Sequence, residues 1–453
     1  MKSTPVDLIQ RKSAKLEFFL CKRLNVSEKW IVNLQYHIFY KNILFFKALY
    51  YNYSVGIDGF QRSNIALKYF RRISMKKFLV LLLAALMVFS FAACGGGGGG
   101  SSEEAADEGG MKVAMVTDYG DITDQSFNQT TYEACKAFCE SNGIDFTYKK
   151  PASDSTADRV SSIEEAIEEG YNVIVMPGYA FANAIYEVAP LYPDTKFVAL
   201  DVSEGDLTAY GEREFDGPNV YSAVYQEELA GYMAGYAAVK MGFTKLGFLG
   251  GMAVPAVQRY GGGFIQGADA AAAELGKDDV EIKYVYGGQF FGDADITAAM
   301  DTWYGKGTEV VFACGGGIYT SAAEAAAKVG GKVIGVDVDQ AATIDGAYGE
   351  GMTVTSAMKG LGATVNTLLG AIQAGNWDQY AGQIQNLGLV SETPADNYVQ
   401  LPDSTLWNDG FQQADYETLV KELFDGTRSV SADTEALPAV KAVKVDDQGA
   451  IKG

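Results

Sequence analysis

Histidine is almost missing from this chain. Its 453 residues include one, His37. Everything after it therefore lacks imidazole, which excludes Ser-His-Asp triads, Cys-His pairs and histidine metal sites there. Cysteine is scarce too, at positions 21, 94, 135, 139 and 314. The last three do not make a disulfide framework. Cys135 and Cys139 stand four residues apart on one helix face, where a disulfide would strain the preferred geometry. They read as two buried thiols, and a zinc site would need more ligands. Basic charge is short as well: residues 95–453 hold 21 Lys+Arg against 53 Asp+Glu. Such a balance disfavours nucleic acid, which needs cations on its phosphates. No metal or cofactor is expected.

Long apolar runs are few. The clearest runs from Phe78 to Ala93, broken by Ser90, behind a basic tip, Lys76-Lys77. It is short for a membrane span, which wants about 20 apolar residues. A basic tip, a short apolar stretch and a small-residue site make a secretory signal. Cys94 directly after Ala92-Ala93 makes it a lipoprotein signal over 75–94, with Cys94 as the lipid-bearing residue. Residues 95–110 begin with six glycines and read as a flexible tether. Residues 1–74 carry 13 Lys+Arg against 4 Asp+Glu. A signal should not sit behind them, so they are expected to be an upstream extension that is not made. The expected location is the extracytoplasmic face of the cell membrane.

From Met111 onward, short β-rich runs alternate with helical stretches. The strands are expected at 112–117, 145–150, 172–177, 196–200, 219–224, 245–250, 281–286, 309–314, 332–337 and 352–357. Helices are expected at 125–142, 158–169, 181–189, 226–241, 258–275, 293–304, 319–329 and 360–374. This alternation predicts an α/β fold with parallel sheets covered by helices on both faces. About 340 residues are long for one core, so two lobes are expected. No internal sequence repeat stands out. After about 388 a strand, a polar loop and a helix near 415–425 are expected. Beyond 427 the chain thins and reads as loosely packed.

In such sheets ligands bind beyond the carboxyl ends of the strands. Those positions hold Asp118, Asp121, Asp124 and Phe127-Asn128; Asn183; Arg259-Tyr260; Gly315-Gly316-Gly317; Asp337, Asp339 and Gln340; and Lys359. Carboxylates accept hydroxyl protons and aromatics sandwich flat rings, so the set suits a neutral polyhydroxylated ligand with a ring. Each also has a plainer reading: Phe127 and Tyr260 as core, Asp118 and Asp337 as helix caps, Asp121 and Asp124 as capping or surface residues, Asp339 and Gln340 as a turn and lobe contact, Lys359 as solvated.

The blocks VTDYGDITDQSFNQTTYEA, VIVMPGYAFANA, GFLGGMAVPAVQRYGGGFIQG, FACGGGIYTSAAEAA and VIGVDVDQ, in this order, resemble the signature blocks of the basic membrane lipoprotein family. These are substrate-binding lipoproteins of ABC transporters, with purine nucleosides as their best-established ligands. The resemblance implies the type I periplasmic-binding-protein fold: two doubly wound α/β lobes, three crossovers and a cleft. Lobe 1 is expected at about 111–224 and 338–390, and lobe 2 at about 225–337 with the C-terminal segment. It further implies that Asp118 and Asp337 hold ribose hydroxyls. Phe127 and Tyr260 would stack on the base, with Asn128 beside Phe127 in the same block. Gly315 to Gly317 would bring backbone to the sugar. Lys359 would reach the ribose or pair with Asp337. Asn183 stands where the family tends to have an Asp for the base edge, and Glu133 where some members have Asn. The implied partners are a nucleoside, a permease and its ATPase, with the protein a monomer.

Other classes remain. Asp337-Val338-Asp339 has the D-x-D form of Mg-dependent phosphatases, but Ala341 stands where they need a small hydroxyl residue. Gly315–Gly317 lacks the Lys-Ser/Thr of a P-loop, and Gly261–Gly263 does not fit the dinucleotide pattern. A sensor or surface lipoprotein of the same fold, binding a sugar or other small polar ligand, is the second reading.

Overall fold

The computed structural model describes residues 110–452, apart from 119 and 212–214. The expected extension, the signal, the lipidation site Cys94 and nearly all of the tether lie outside the described residues. Among those described, no helix is long and apolar enough to cross a membrane.

The described residues begin with β1 (Lys112–Val116), α1 (Phe127–Asn142), β2 (Asp145–Lys149), α2 (Thr156–Glu168), β3 (Val173–Pro177), α3 (Ala182–Val188), β4 (Lys196–Leu200), α4 (Glu204–Gly211) and β5 (Val220–Tyr225). The chain then repeats the scheme with α5 (Glu227–Lys240), β6 (Lys245–Gly250), α6 (Pro255–Leu275), β7 (Val280–Tyr286), α7 (Ala294–Gly305), β8 (Val310–Cys314), α8 (Tyr319–Ala327), β9 (Lys332–Asp337), α9 (Ala341–Tyr348) and β10 (Thr353–Lys359). The remainder is α10 (Leu361–Gln373), β11 (Ile384–Leu387), β12 (Val399–Gln400), α11 (Gln413–Phe424) and β13 (Val443–Ala450). The first sheet runs β11-β5-β4-β3-β1-β2 and the second β12-β10-β9-β8-β6-β7-β13. Strand neighbours are parallel except β10 and β12. The two-lobed α/β architecture expected from the alternation is present.

Within a strand, alternate residues serve opposite faces. Val113, Val173, Val175 and Val198 join one apolar cluster, and Ala114, Val116, Ile174, Met176 and Phe197 another. A sheet covered on both sides has no polar face, which is why these strands read as continuous apolar runs.

The chain crosses between sheets three times: after β5, after β10 and between β11 and β12. One expected boundary is wrong. The return to the first lobe comes at Gly360, not at 338. β10 pairs with β9 in the second sheet, and α10 packs on α1 of the first lobe. β10 is easy to misplace because it carries Thr353, Thr355 and Ser356 into the interior. Two of these hydroxyls are matched locally: Thr355 and Thr405 share a 2.7 Å hydroxyl bond, and Ser356 accepts from the Gln340 N–H, while the Thr353 hydroxyl has no partner among the described residues. The C-terminal tail also departs from expectation. β13 extends the second sheet beside β7. Asp269 Oδ1 accepts from the backbone N–H groups of Lys441, Ala442 and Val443 at its start.

α5 and α6 touch backbone to backbone. A Cβ on Gly231 would lie 2.1 Å from the Tyr260 carbonyl oxygen, and one on Gly263 2.0 Å from that of Glu228. This contact fixes the first turns of α6, which carry Arg259 and Tyr260 to the strand ends.

Candidate functional site

The two sheets present their carboxyl ends to one cavity of about 550 Å³. That volume is within the range of small-molecule sites. Its walls include Asp118, Phe127, Asn128, Tyr260, Gly315, Gly317, Asp337 and Lys359. Asn183 is the exception. Gly178 and Tyr179 line the cavity, but a 3₁₀ turn over Tyr179–Phe181 intervenes and Asn183 sits on α3, outside the lining.

The lobes deliver equivalent strand ends. β3 is followed by Gly178 with φ 121° and β8 by Gly315 with φ 153°. β4 leads to Asp201 with φ 60, and β9 ends in Asp337 with φ 65. Left-handed backbone is uncommon for residues with a side chain, though Asp tolerates it better than most. The sequences match as well: KFVALDV over 196–202 and KVIGVDV over 332–338. Asp201 is thus the first lobe's counterpart of Asp337.

Between them lies Lys359, the last residue of β10. Its side chain is 3% exposed. The ammonium stands 2.6 Å from Asp201 Oδ2, 3.4 Å from Glu227 Oε1 and 3.7 Å from Asp337 Oδ1. It also lies 4.7 Å from the Phe127 ring centroid and 5.4 Å from that of Tyr225. Burial alone would depress this ammonium, but Asp201, Asp337 and Glu227 outweigh it and hold the group above its ordinary range. The Asp201 carboxyl is pushed up too, to about 6, which in its case favours the neutral form. Burial is the chief cause, Lys359 opposes it, and the Glu227 and Asp337 charges add to it. Three carboxylates share one ammonium, so none receives it in full. Glu227, fully buried at the start of α5, takes a second cation through Arg259 Nε at 2.7 Å.

The first lobe's loop is built around Asp124. Oδ1 accepts from the Ser126 and Gln129 N–H groups, and Oδ2 from the Asn128 N–H and its amide at 3.2 Å. Burial raises the Asp124 carboxyl, against those donors. With Asp124 capping α1, the Ser126 hydroxyl is released to donate to Asp337 Oδ2 at 2.6 Å across the cleft. Gln340 and Thr343 of the second lobe also reach Gln125 of the first, at 3.1 and 3.0 Å. Asp339 closes a turn, accepting from the Ala341 N–H.

Tyr260 is 2% exposed. Its ring meets Phe312 edge-on, and its hydroxyl points at Asp337 Oδ1 from 3.4 Å. The glycines have a second occupant: a Cβ on Gly251 would fall 2.4 Å from the Phe290 ring, and one on Gly315 3.0 Å from it. Phe290 and the exposed Phe291 also line the cavity. Asp201, Glu227, Phe290 and Phe291 were not singled out from sequence. The repeated K-x-x-x-x-D-V would have pointed to Asp201.

Two α/β lobes closing on a polar and aromatic cavity define a solute-binding protein of the periplasmic-binding-protein class. Solved solute-binding proteins of ABC transporter systems share the fold. One from Aeropyrum pernix K1 superposes with a TM-score of 0.54 at 21% identity, covering 70% of this chain and 87% of that one. One from Conexibacter woesei gives 0.54 at 22%, covering 71% and 99%. Residues 111–393 match the family described as Bmp, ABC transporter substrate-binding protein PnrA-like, and the chain belongs to that family. A Lactococcus lactis relative, "ABC transporter nucleoside-binding protein BmpA", is 31% identical over 243 residues, covering 51% of this chain and 64% of the relative, a little under two thirds of its length. Basic membrane protein B of Borreliella burgdorferi is 27% identical, covering 69% and 91%.

Proposed function

We propose that this protein captures a nucleoside, a purine nucleoside first of all, and delivers it unchanged to an ABC permease. Cys94 would carry the lipid that holds it to the outer face of the membrane. The observation that carries the reading is the inter-lobe cavity, where Phe127 and Tyr260 adjoin Asp118, Asp337 and Lys359. The aromatics would take the base, and the carboxylates and lysine the sugar hydroxyls. Family membership and the Lactococcus relative's name support the same class of ligand. Stacking contributes about 1–3 kcal/mol per base. A nucleoside of about 20 heavy atoms at roughly 0.3–0.5 kcal/mol per atom binds with on the order of 6–10 kcal/mol, micromolar to sub-micromolar. The lobes would open and close by a hinge at the three crossings.

The test is titration of adenosine, guanosine and inosine into the wild type, Phe127→Ala and Asp337→Ala. Both variants should stay folded and lose binding. Full affinity in both would remove the assigned site.

A further inference from the structure

The carboxylate oxygens around Lys359 are not equally occupied. Asp337 Oδ2 accepts from Ser126, and its Oδ1 faces Tyr260 and Lys359. Glu227 Oε2 is taken by Arg259, and its Oε1 faces Lys359. Asp201 Oδ2 holds Lys359. Asp201 Oδ1 is buried and has no hydrogen-bond partner among the described residues, although Asp201 lines the cavity. A buried acceptor left unmade costs free energy, and a ligand donor would remove that cost. Asn128 Oδ1, also in the cavity wall, likewise has no partner among the described residues. Both vacant atoms are acceptors, so the cavity is short of donors, as it would be for a ligand bearing hydroxyl or amino groups.

Asp201 also belongs to the first lobe, whereas Lys359 ends a strand of the second sheet, one residue before the chain crosses at Gly360. Their contact spans the cleft beside the hinge.

We propose that Asp201 is a ligand-binding residue and the closing latch at once: Oδ1 accepts a donor hydroxyl of the ligand, and Oδ2 clasps Lys359 across the cleft. Capture and closure then run through one carboxylate. The ligand half rests on the nucleoside reading above; the latch half does not.

The variant is Asp201→Asn, because Asn keeps the shape and tolerates the left-handed backbone. The first arm measures the affinity of wild type and variant for adenosine and its 2′-, 3′- and 5′-deoxy analogues. Adenosine affinity should fall about 10- to 100-fold, as for a lost hydrogen bond to a charged group. The loss should shrink for the one analogue that lacks the hydroxyl meeting Oδ1. A purely structural role would give the same loss for all four, and that result overturns the ligand half. The second arm needs no ligand. With Cys21 and Cys94 replaced by Ser, spin labels on Ala137→Cys of α1 and Ala298→Cys of α7, both exposed, report the distance between lobes; Cys135, Cys139 and Cys314 are buried and should escape labelling. In the ligand-free protein, Asp201→Asn should shift the distances toward longer values. Unchanged distances overturn the latch. Silence of the wild type toward adenosine, guanosine and inosine would sink the nucleoside reading and the ligand half with it, and leave the distances to decide the latch.

Discussion

The hydroxyl of Ser126 donates to Asp337 Oδ2 at 2.6 Å, and the two residues belong to different lobes. Ser126 precedes α1, but Asp124 caps that helix in its place. The bond therefore serves closure and aligns Asp337. Ser126→Ala should leave the fold intact and cost about 1–2 kcal/mol of ligand affinity. Stopped-flow displacement should show it as faster dissociation. Unaltered dissociation would count against closure through this contact.

Asp201 gives a pH dependence with a definite sign. Its carboxyl is raised to about 6 in the folded protein, mainly by burial. Its contribution to stability is therefore fully present below about pH 4, the unfolded carboxylate range, and is lost as pH rises through about 6. Urea unfolding of ligand-free wild type and Asp201→Asn at pH 4.5 and 7.5 checks this. The wild type should gain on the variant at the lower pH. An equal gap at both would show that the carboxyl is not raised.

The α5–α6 contact predicts opposite outcomes for neighbouring glycines. At Gly231 a new Cβ meets the Tyr260 carbonyl at 2.1 Å, so the helices must part. Gly231→Ala should destabilise by about 1–3 kcal/mol and weaken binding, since α6 carries Tyr260. At Gly262 the nearest atom is Pro438 Cγ at 3.9 Å. Gly262→Ala should be neutral or stabilising by up to about 1 kcal/mol, through helix propensity. Thermal melts of the pair decide it, and equal losses would contradict the packing.

Asp269 anchors the last strand. Removing its carboxylate in Asp269→Ala strips acceptors from three backbone N–H groups. Hydrogen exchange across 441–450 should speed up by about tenfold or more, while ligand affinity stays within about threefold. Unchanged protection there would mean that pairing with β7 alone holds β13.

Much of this was legible in the sequence because a doubly covered sheet writes itself as apolar runs. Among the described residues, all ten strands before residue 360 stand within a residue or two of where the runs place them. α4 and α9 were not expected: each is eight residues long, too short to show a clear period. β13 was missed because it is an edge strand with mostly exposed side chains. The D-x-S-F-N and G-V-D-x-D-Q blocks led to Phe127 and Asp337, which share the cavity. Asp201 escaped notice because no block carried it. KFVALDV and KVIGVDV gain their meaning from β4 and β9 ending at the same cavity from two different sheets. Asn183 was misplaced because a strand-end rule does not foresee the 3₁₀ turn before α3.

The most direct test of the account is calorimetric titration of residues 95–453, unfolded and refolded to strip carried-over ligand. The panel holds adenosine, guanosine, inosine, uridine, cytidine, the free bases, ribose and other simple sugars. The account predicts micromolar or tighter binding of a purine nucleoside, with ribose silent. Binding of sugars alone, or silence across the panel, would contradict it.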